Sequence, residues 1–174
     1  MVSTRFTTAS PISANYSYTD IADGTSVQTF YVLLSKSSTG DEYILSSQAD
    51  YAEDDVISTT DIDADLTKFN TPRDLKGTAT LNFYGRMSGG GSTNYTATIY
   101  KYDGTTETAI SSPITSGSTG IDSQYLLKLP LTDTHFKTND ILRIRLQHTG
   151  IDASAYYIEA SAPIKLNIPF ELII

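Results

Sequence analysis

The sequence predicts an all-β domain, an antiparallel jelly roll or β-sandwich of about eight or more strands behind an extended N-terminal arm. Three observations predict it. Apolar and polar residues alternate at period two along many short segments, a spacing that gathers the apolar side chains on one face of a strand and would scatter them around a helix. Ser, Thr, Gly, Asn and Asp cluster between those segments, where turns need them. No amphipathic stretch reaches helical length, so no helical crossovers are expected, which leaves two packed sheets or a barrel.

Taken in order, residues 1–22 are polar, carry Pro11 and lack periodicity, so they read as the arm, and residues 23–174 read as a single domain. Strands are expected at 27–35 and 42–47. Another covers 78–84, with Ala79, Leu81 and Phe83 inward. Gly89, Gly90 and Gly91 mark a flexible loop. A strand over 95–102 meets Asp103-Gly104, a pair suited to a two-residue type I′ turn, and 105–110 returns as its partner. Further strands are expected at 124–131, 141–148 and 156–160. In 141–148, Leu142, Ile144 and Leu146 face one way, and Arg143, Arg145 and Gln147 the other. The chain ends in the clearest alternation of all, with Ile164, Leu166, Ile168, Phe170, Leu172 and Ile174 on one face. Pro169 lacks an amide hydrogen, so that strand is expected at an edge or bent there. Short turns are expected near 61–69 and 133–136.

Composition narrows the function. Of 174 residues none is Cys, which excludes a disulfide framework, a thiolate metal site and a cysteine nucleophile. The formal net charge of -8 repels phosphate backbones, so no nucleic-acid partner is expected. No run of apolar residues is long enough for a membrane helix, so no membrane partner is expected either. The first residues have no apolar core of signal-peptide length, which predicts a chain made in a cytoplasm that either stays there or leaves by assembly or lysis. The Asn15 and Asn94 sequons are read as chance.

Chemistry-bearing residues are sparse. His135 and His148 show no metal-binding spacing and read as loop or surface residues. No nucleophile-elbow motif and no phosphate loop occurs. The densest polar feature spans 50–65, with Asp50, Glu53, Asp54, Asp55, Asp61, Asp63 and Asp65. Asp61, Asp63 and Asp65 begin like an EF-hand loop, but Leu66 replaces its glycine and Pro72 stands where its glutamate belongs. A solvated acidic loop is the plain reading. A weak calcium site of another geometry is the alternative, and no other cofactor or metal is expected. No motif singles out a catalytic carboxylate pair. Twelve tyrosines suit half-buried strands and interfaces. Tyr100 and Tyr102 share a hairpin face with Thr96 and Thr98; with Tyr16 and Tyr18 of the arm they are the candidate interaction surface.

In style the chain resembles the small jelly-roll virion proteins of tailed bacteriophages, of the capsid-decoration, head-fibre and tail-associated type. The arm leading into SVQTFYVLLSKS, the hairpin NYTATIYKYDGTTETAI, and FKTNDILRIRLQHTG leading to PIKLNIPFELII carry the resemblance. It implies a non-enzymatic structural protein on a virion, contacting major capsid or tail proteins as a homo-oligomer, a trimer favoured. A carbohydrate- or receptor-binding module at a fibre tip is the second reading, and a polysaccharide hydrolase the third.

Overall fold

The structure, a computed structural model, describes residues 27–37, 40–49, 56–58, 61–87, 93–117, 122–149, 154–158 and 163–172. They form twelve strands and, among them, no helix. The strands are β1 (Val27–Ser37), β2 (Gly40–Ser46), β3 (Val56–Ser58), β4 (Ile62–Leu66), β5 (Arg73–Met87) and β6 (Asn94–Tyr102). β7 (Glu107–Ala109), β8 (Ile114–Thr115), β9 (Ser123–Phe136), β10 (Ile141–Thr149), β11 (Ser154–Ile158) and β12 (Lys165–Leu172) complete the set. The expected arm, with Tyr16 and Tyr18, and the Gly89–Gly91 loop lie outside the described residues.

All twelve strands belong to one sheet, ordered β3-β11-β5-β12-β1-β2-β4-β10-β6-β7, with β9 on β5 and β8 on β6. The sheet is mixed. β2 and β4 pair in parallel, Ile44 opposite Asp65, whereas every other described pairing is antiparallel. The purely antiparallel expectation is corrected here: the chain between β2 and β4 is long enough to return to the same end of the sheet, which a parallel neighbour requires. The sheet also curls until distant strands meet. The Thr132 amide on β9 donates to the Ile110 carbonyl at 2.8 Å, and Ser111 bridges Leu131.

The curl encloses the core. Leu75, Ala79, Leu81, Leu129, Phe136, Leu142, Leu166 and Ile168 are fully buried, each large side chain among them contributing about 1.5–3 kcal/mol by leaving water. Aromatic rings gather toward each end of β5. At one end Phe83 meets Tyr95 edge-on at 5.2 Å and stacks on Tyr125 at 5.2 Å. At the other, Phe69 meets Phe136 at 5.1 Å and Phe170 at 5.7 Å. Phe69 belongs to the β4–β5 connection, which is clipped onto the β9–β10 turn: its amide donates to the Asp140 carbonyl at 3.0 Å and its carbonyl accepts from Asn139 at 2.8 Å. Asn139 closes that turn at φ 74, a backbone that Asn tolerates better than most side chains.

Three local expectations change. The stretches 61–69 and 133–136 are not simple turns, since β4 occupies the first and β9 runs through the second. Asp103-Gly104 does not form a two-residue turn. Tyr102 pairs with Glu107 across a four-residue loop, in which the Asp103 carboxylate accepts from the Thr105 and Thr106 amides at 2.9 and 2.7 Å. Only Gly104 of that pair has positive φ, and the type I′ turn needs it twice. Pro169 sits in an interior strand, between β5 and β1, so of the two alternatives the edge is excluded and the local irregularity remains. It falls where the β12–β5 register shifts between Asn167 and Phe170, beside Gly77 at φ 100, so the missing amide meets a bulge in the ladder.

Candidate functional site

The richest polar arrangement is the outer face of β4, β10, β6 and β7, which lie side by side in that order. Alternation builds it. Ile62 and Ala64 turn into the core, so Asp61, Asp63 and Asp65 turn out. On β10, Leu142, Ile144 and Leu146 are buried and Arg143, Arg145 and Gln147 face outward. On β6, Tyr95, Ala97 and Ile99 are buried, leaving Thr96, Thr98, Tyr100 and Tyr102 on the outer side.

Register then pairs the charges. Arg143 stands opposite Asp65, and Arg145 opposite Asp63. Each guanidinium grips its carboxylate with two parallel bonds. Arg143 donates to Asp65 from Nε at 2.6 Å and from Nη2 at 2.7 Å. Arg145 donates to Asp63 from Nε at 2.6 Å and from Nη2 at 2.8 Å. Glu107 joins the rows, accepting from Nη1 of both arginines at 3.0 Å. The guanidiniums also lie over the β6 rings, Arg143 over Tyr102 at 5.1 Å and Arg145 over Tyr100 at 4.7 Å. Hydrogen bonds donated to Asp65 and to Asp63 raise the affinity of Arg143 and Arg145 for their protons, against the opposing effect of burial. Farther along, Asp61 accepts from Gln147 Nε2 at 3.0 Å and from the His148 amide at 3.4 Å. Both donors are neutral. The face therefore holds four carboxylates against two guanidiniums.

The structure brings together Tyr100, Tyr102, Arg143, Arg145 and three of the acids singled out by sequence. Tyr16, Tyr18, Asp50, Glu53, Asp54 and Asp55 lie outside the described residues. Asp61, Asp63 and Asp65 line a strand at about 7 Å intervals and do not converge; among the described residues no three His, Asp or Glu side chains form a metal-ligand set. Sequence reasoning missed Glu107, whose only signal is its place two residues before Ala109 on a short returning strand. It also missed a pair at the end of β9, where His135 Nδ1 lies 2.8 Å from Asp74 Oδ1. Lys101 lies nearby, its Nζ donating to the His135 carbonyl at 2.6 Å and pairing with Asp140 at 2.8 Å.

No protein-family model matches the chain. No curated protein sequence is significantly similar to it. Solved structures do match in fold. A CocE/NonD family hydrolase from Staphylococcus aureus superposes with a TM-score of 0.62 at 11% identity, over 84% of this chain and 37% of its own. An alpha-amino acid ester hydrolase gives 0.60 at 11%, over 83% and 36%. An aminopeptidase from a marine sediment archaeon, Thaumarchaeota archaeon, gives 0.57 at 10%, over 81% and 36%. The chain thus spans little more than a third of the length of the hydrolases it matches. These findings overturn the resemblance to phage virion proteins, and with it the non-enzymatic, capsid- or tail-decorating role. That resemblance rested on a Cys-free, Ser/Thr-rich, short-stranded style, which any curled β-domain with a neutral polar surface shares. At 10–12% identity the likeness is one of fold: the described β-sheet is built like a part of these hydrolases.

Proposed function

We propose that this chain is the β-domain of a hydrolase, working together with a catalytic unit that acts on esters or amides. One observation carries the reading: more than four-fifths of the chain matches hydrolases, and the match takes up little more than a third of each. Such chemistry needs a nucleophile, a base held by an acid, and donors for the developing oxyanion. His135 and Asp74 form a base–acid pair, but among the described residues no hydroxyl hydrogen-bonds to the His135 ring. The reading therefore assigns the reacting groups to the catalytic unit, and to this chain a supporting and surface-forming part. The finer architecture belongs to the same proposal. Phe83 on β5 and Tyr95 on β6 touch although five strands separate theirs in the sheet order, as they would across the two layers of a jelly roll.

The test is antibody capture of the chain from an extract of its source cells, followed by assays with p-nitrophenyl acetate, amino acid p-nitrophenyl esters and amino acid p-nitroanilides. Hydrolysis that follows the captured chain, and is lost when free chain competes for the antibody, is the expected result. Complete capture of the chain with no hydrolysis above the control refutes the proposal.

A further inference from the structure

Resting on the hydrolase reading, we infer that the catalytic unit packs on the outer face of β9, β5, β12 and β1, next to β2. Two observations set this face apart. Among the described residues the large apolar side chains left exposed are Val27, Ile44 and Leu126, at 63%, 36% and 59%. All three turn outward, because Leu45, Leu127 and, three residues beyond Val27, Phe30 turn into the core. The ionic part of the same sheet side, on β4, β10, β6 and β7, carries none of them. Charge is the second observation. Residues 27–31, 78–84, 124–130 and 165–169 hold no Asp or Glu, in a chain that has twenty, and their charged side chains are Lys128 and Lys165.

The polar side chains between those apolar ones answer each other across the strands. Thr29 Oγ1 donates to Asn167 Oδ1 at 2.7 Å, and Asn167 Nδ2 donates to Thr80 Oγ1 at 3.2 Å. Gln124 Nε2 donates to Asn82 Oδ1 at 2.9 Å. A partner can cover such a ladder without leaving its donors stranded, which is the usual cost of burying polar groups. Interface cores are likewise short of charge and rich in tyrosine, and here Tyr31 lies in the same cross-strand row as Leu126, under Lys165 Nζ at 5.8 Å. Four strands about 4.8 Å apart, seven residues long at about 3.4 Å each, present roughly 400 Å². That is one side of an inter-domain interface, which buries about 600–1,500 Å² in total. The fitting partner surface offers apolar side chains to Leu126 and Val27 and carboxylates to Lys128 and Lys165. A second copy of this chain is the wrong occupant, because two cationic, carboxylate-free faces would meet.

The test expresses the tagged full chain and its variants in the source cells and runs each extract on size-exclusion chromatography with light scattering, assaying every fraction with p-nitrophenyl acetate. The wild-type chain is expected in a hydrolytic peak heavier than itself. Leu126→Glu and Val27→Glu place carboxylates at exposed positions of the face, so both should keep the wild-type urea midpoint. Each should raise the concentration at which half the chain leaves the hydrolytic peak by roughly tenfold. Thr105→Glu, the same charge in the exposed loop between β6 and β7, should leave that concentration unchanged. If both face variants stay in the hydrolytic peak as the wild-type chain does, or if Thr105→Glu leaves it equally, this inference is overturned and the hydrolase reading stands. A wild-type peak at twice the chain's mass and without hydrolysis makes the occupant a second copy and overturns it too. A wild-type chain eluting at its own mass sinks the hydrolase reading and this inference together.

Discussion

Gly85→Ala is the sharpest test of how the core is closed. Gly85 lies on β5, paired with Ser123 of β9 and Tyr156 of β11. A Cβ there would stand 2.6 Å from Tyr95 Cζ and Oη and 2.7 Å from Cε2. Non-bonded carbons rest at about 3.5–4.0 Å, so the ring must retreat by roughly 1 Å. It has nowhere to go, being fully buried and held by Phe83 at 5.2 Å and Tyr125 at 4.8 Å. Overpacking of this kind costs about 1–3 kcal/mol. At about 2–4 °C per kcal/mol for a domain of this size, the melting temperature should fall by roughly 2–12 °C. A double-mutant cycle isolates the cause. In a Tyr95→Leu background the collision is gone, and Gly85→Ala should be neutral or gain up to about 1 kcal/mol, since glycine is a poor strand residue. Tyr95→Phe should not rescue, because Cζ remains. The assay is urea unfolding followed by circular dichroism on all four members of the cycle. A neutral Gly85→Ala in the wild-type chain, or the same loss in both backgrounds, refutes the packing described here.

Other expectations follow from the same structure. Leu129→Ala, at a fully buried position of β9, should cost about 2–5 kcal/mol in urea unfolding. Glu107→Gln removes the charge, and one of the two acceptor oxygens, that Arg143 and Arg145 share, whose side chains are 22% and 24% exposed; the loss should be about 1 kcal/mol or less and should shrink in 1 M salt. Burial, then the neighbouring Tyr125, raises the Tyr95 pKa. The folded state thus holds a phenol proton that the unfolded state releases above pH of about 10, so stability is complete below that pH and falls as pH rises, by about 1.4 kcal/mol per pH unit. The fall should be shallower in Tyr95→Phe, measured between pH 9 and 12 by urea unfolding.

The strands were legible in the sequence wherever alternation involved large side chains. β1, β6, β10 and β12 lie within two residues of their expected starts, with the expected faces of β10 and β12 turned inward at Leu142, Ile144, Leu166 and Ile168. β4 was not legible. Its inward face is Ile62 and Ala64, too little apolar area to stand out beside three aspartates, so the segment read as an acidic loop. What makes it a strand is its neighbours, β2 on one side and β10 on the other. The same limit governs the site. Tyr100, Tyr102, Arg143, Arg145 and the aspartates each stood out singly, but the pairing of Asp65 with Arg143 spans 78 positions. No local pattern encodes a contact of that range. The virion reading failed for a related reason, since composition reports the surface a fold can tolerate and not the chain it serves.

The part in a hydrolase proposed for this β-domain requires the chain to travel with hydrolytic activity. The most direct measurement is the mass of the native species carrying the chain, by size-exclusion chromatography with light scattering on material from the source cells, with ester hydrolysis assayed in every fraction. The expected result is one peak, well above the mass of the free chain, in which chain and hydrolysis coincide. Elution of the chain at its own mass, away from every hydrolytic fraction, would contradict that part.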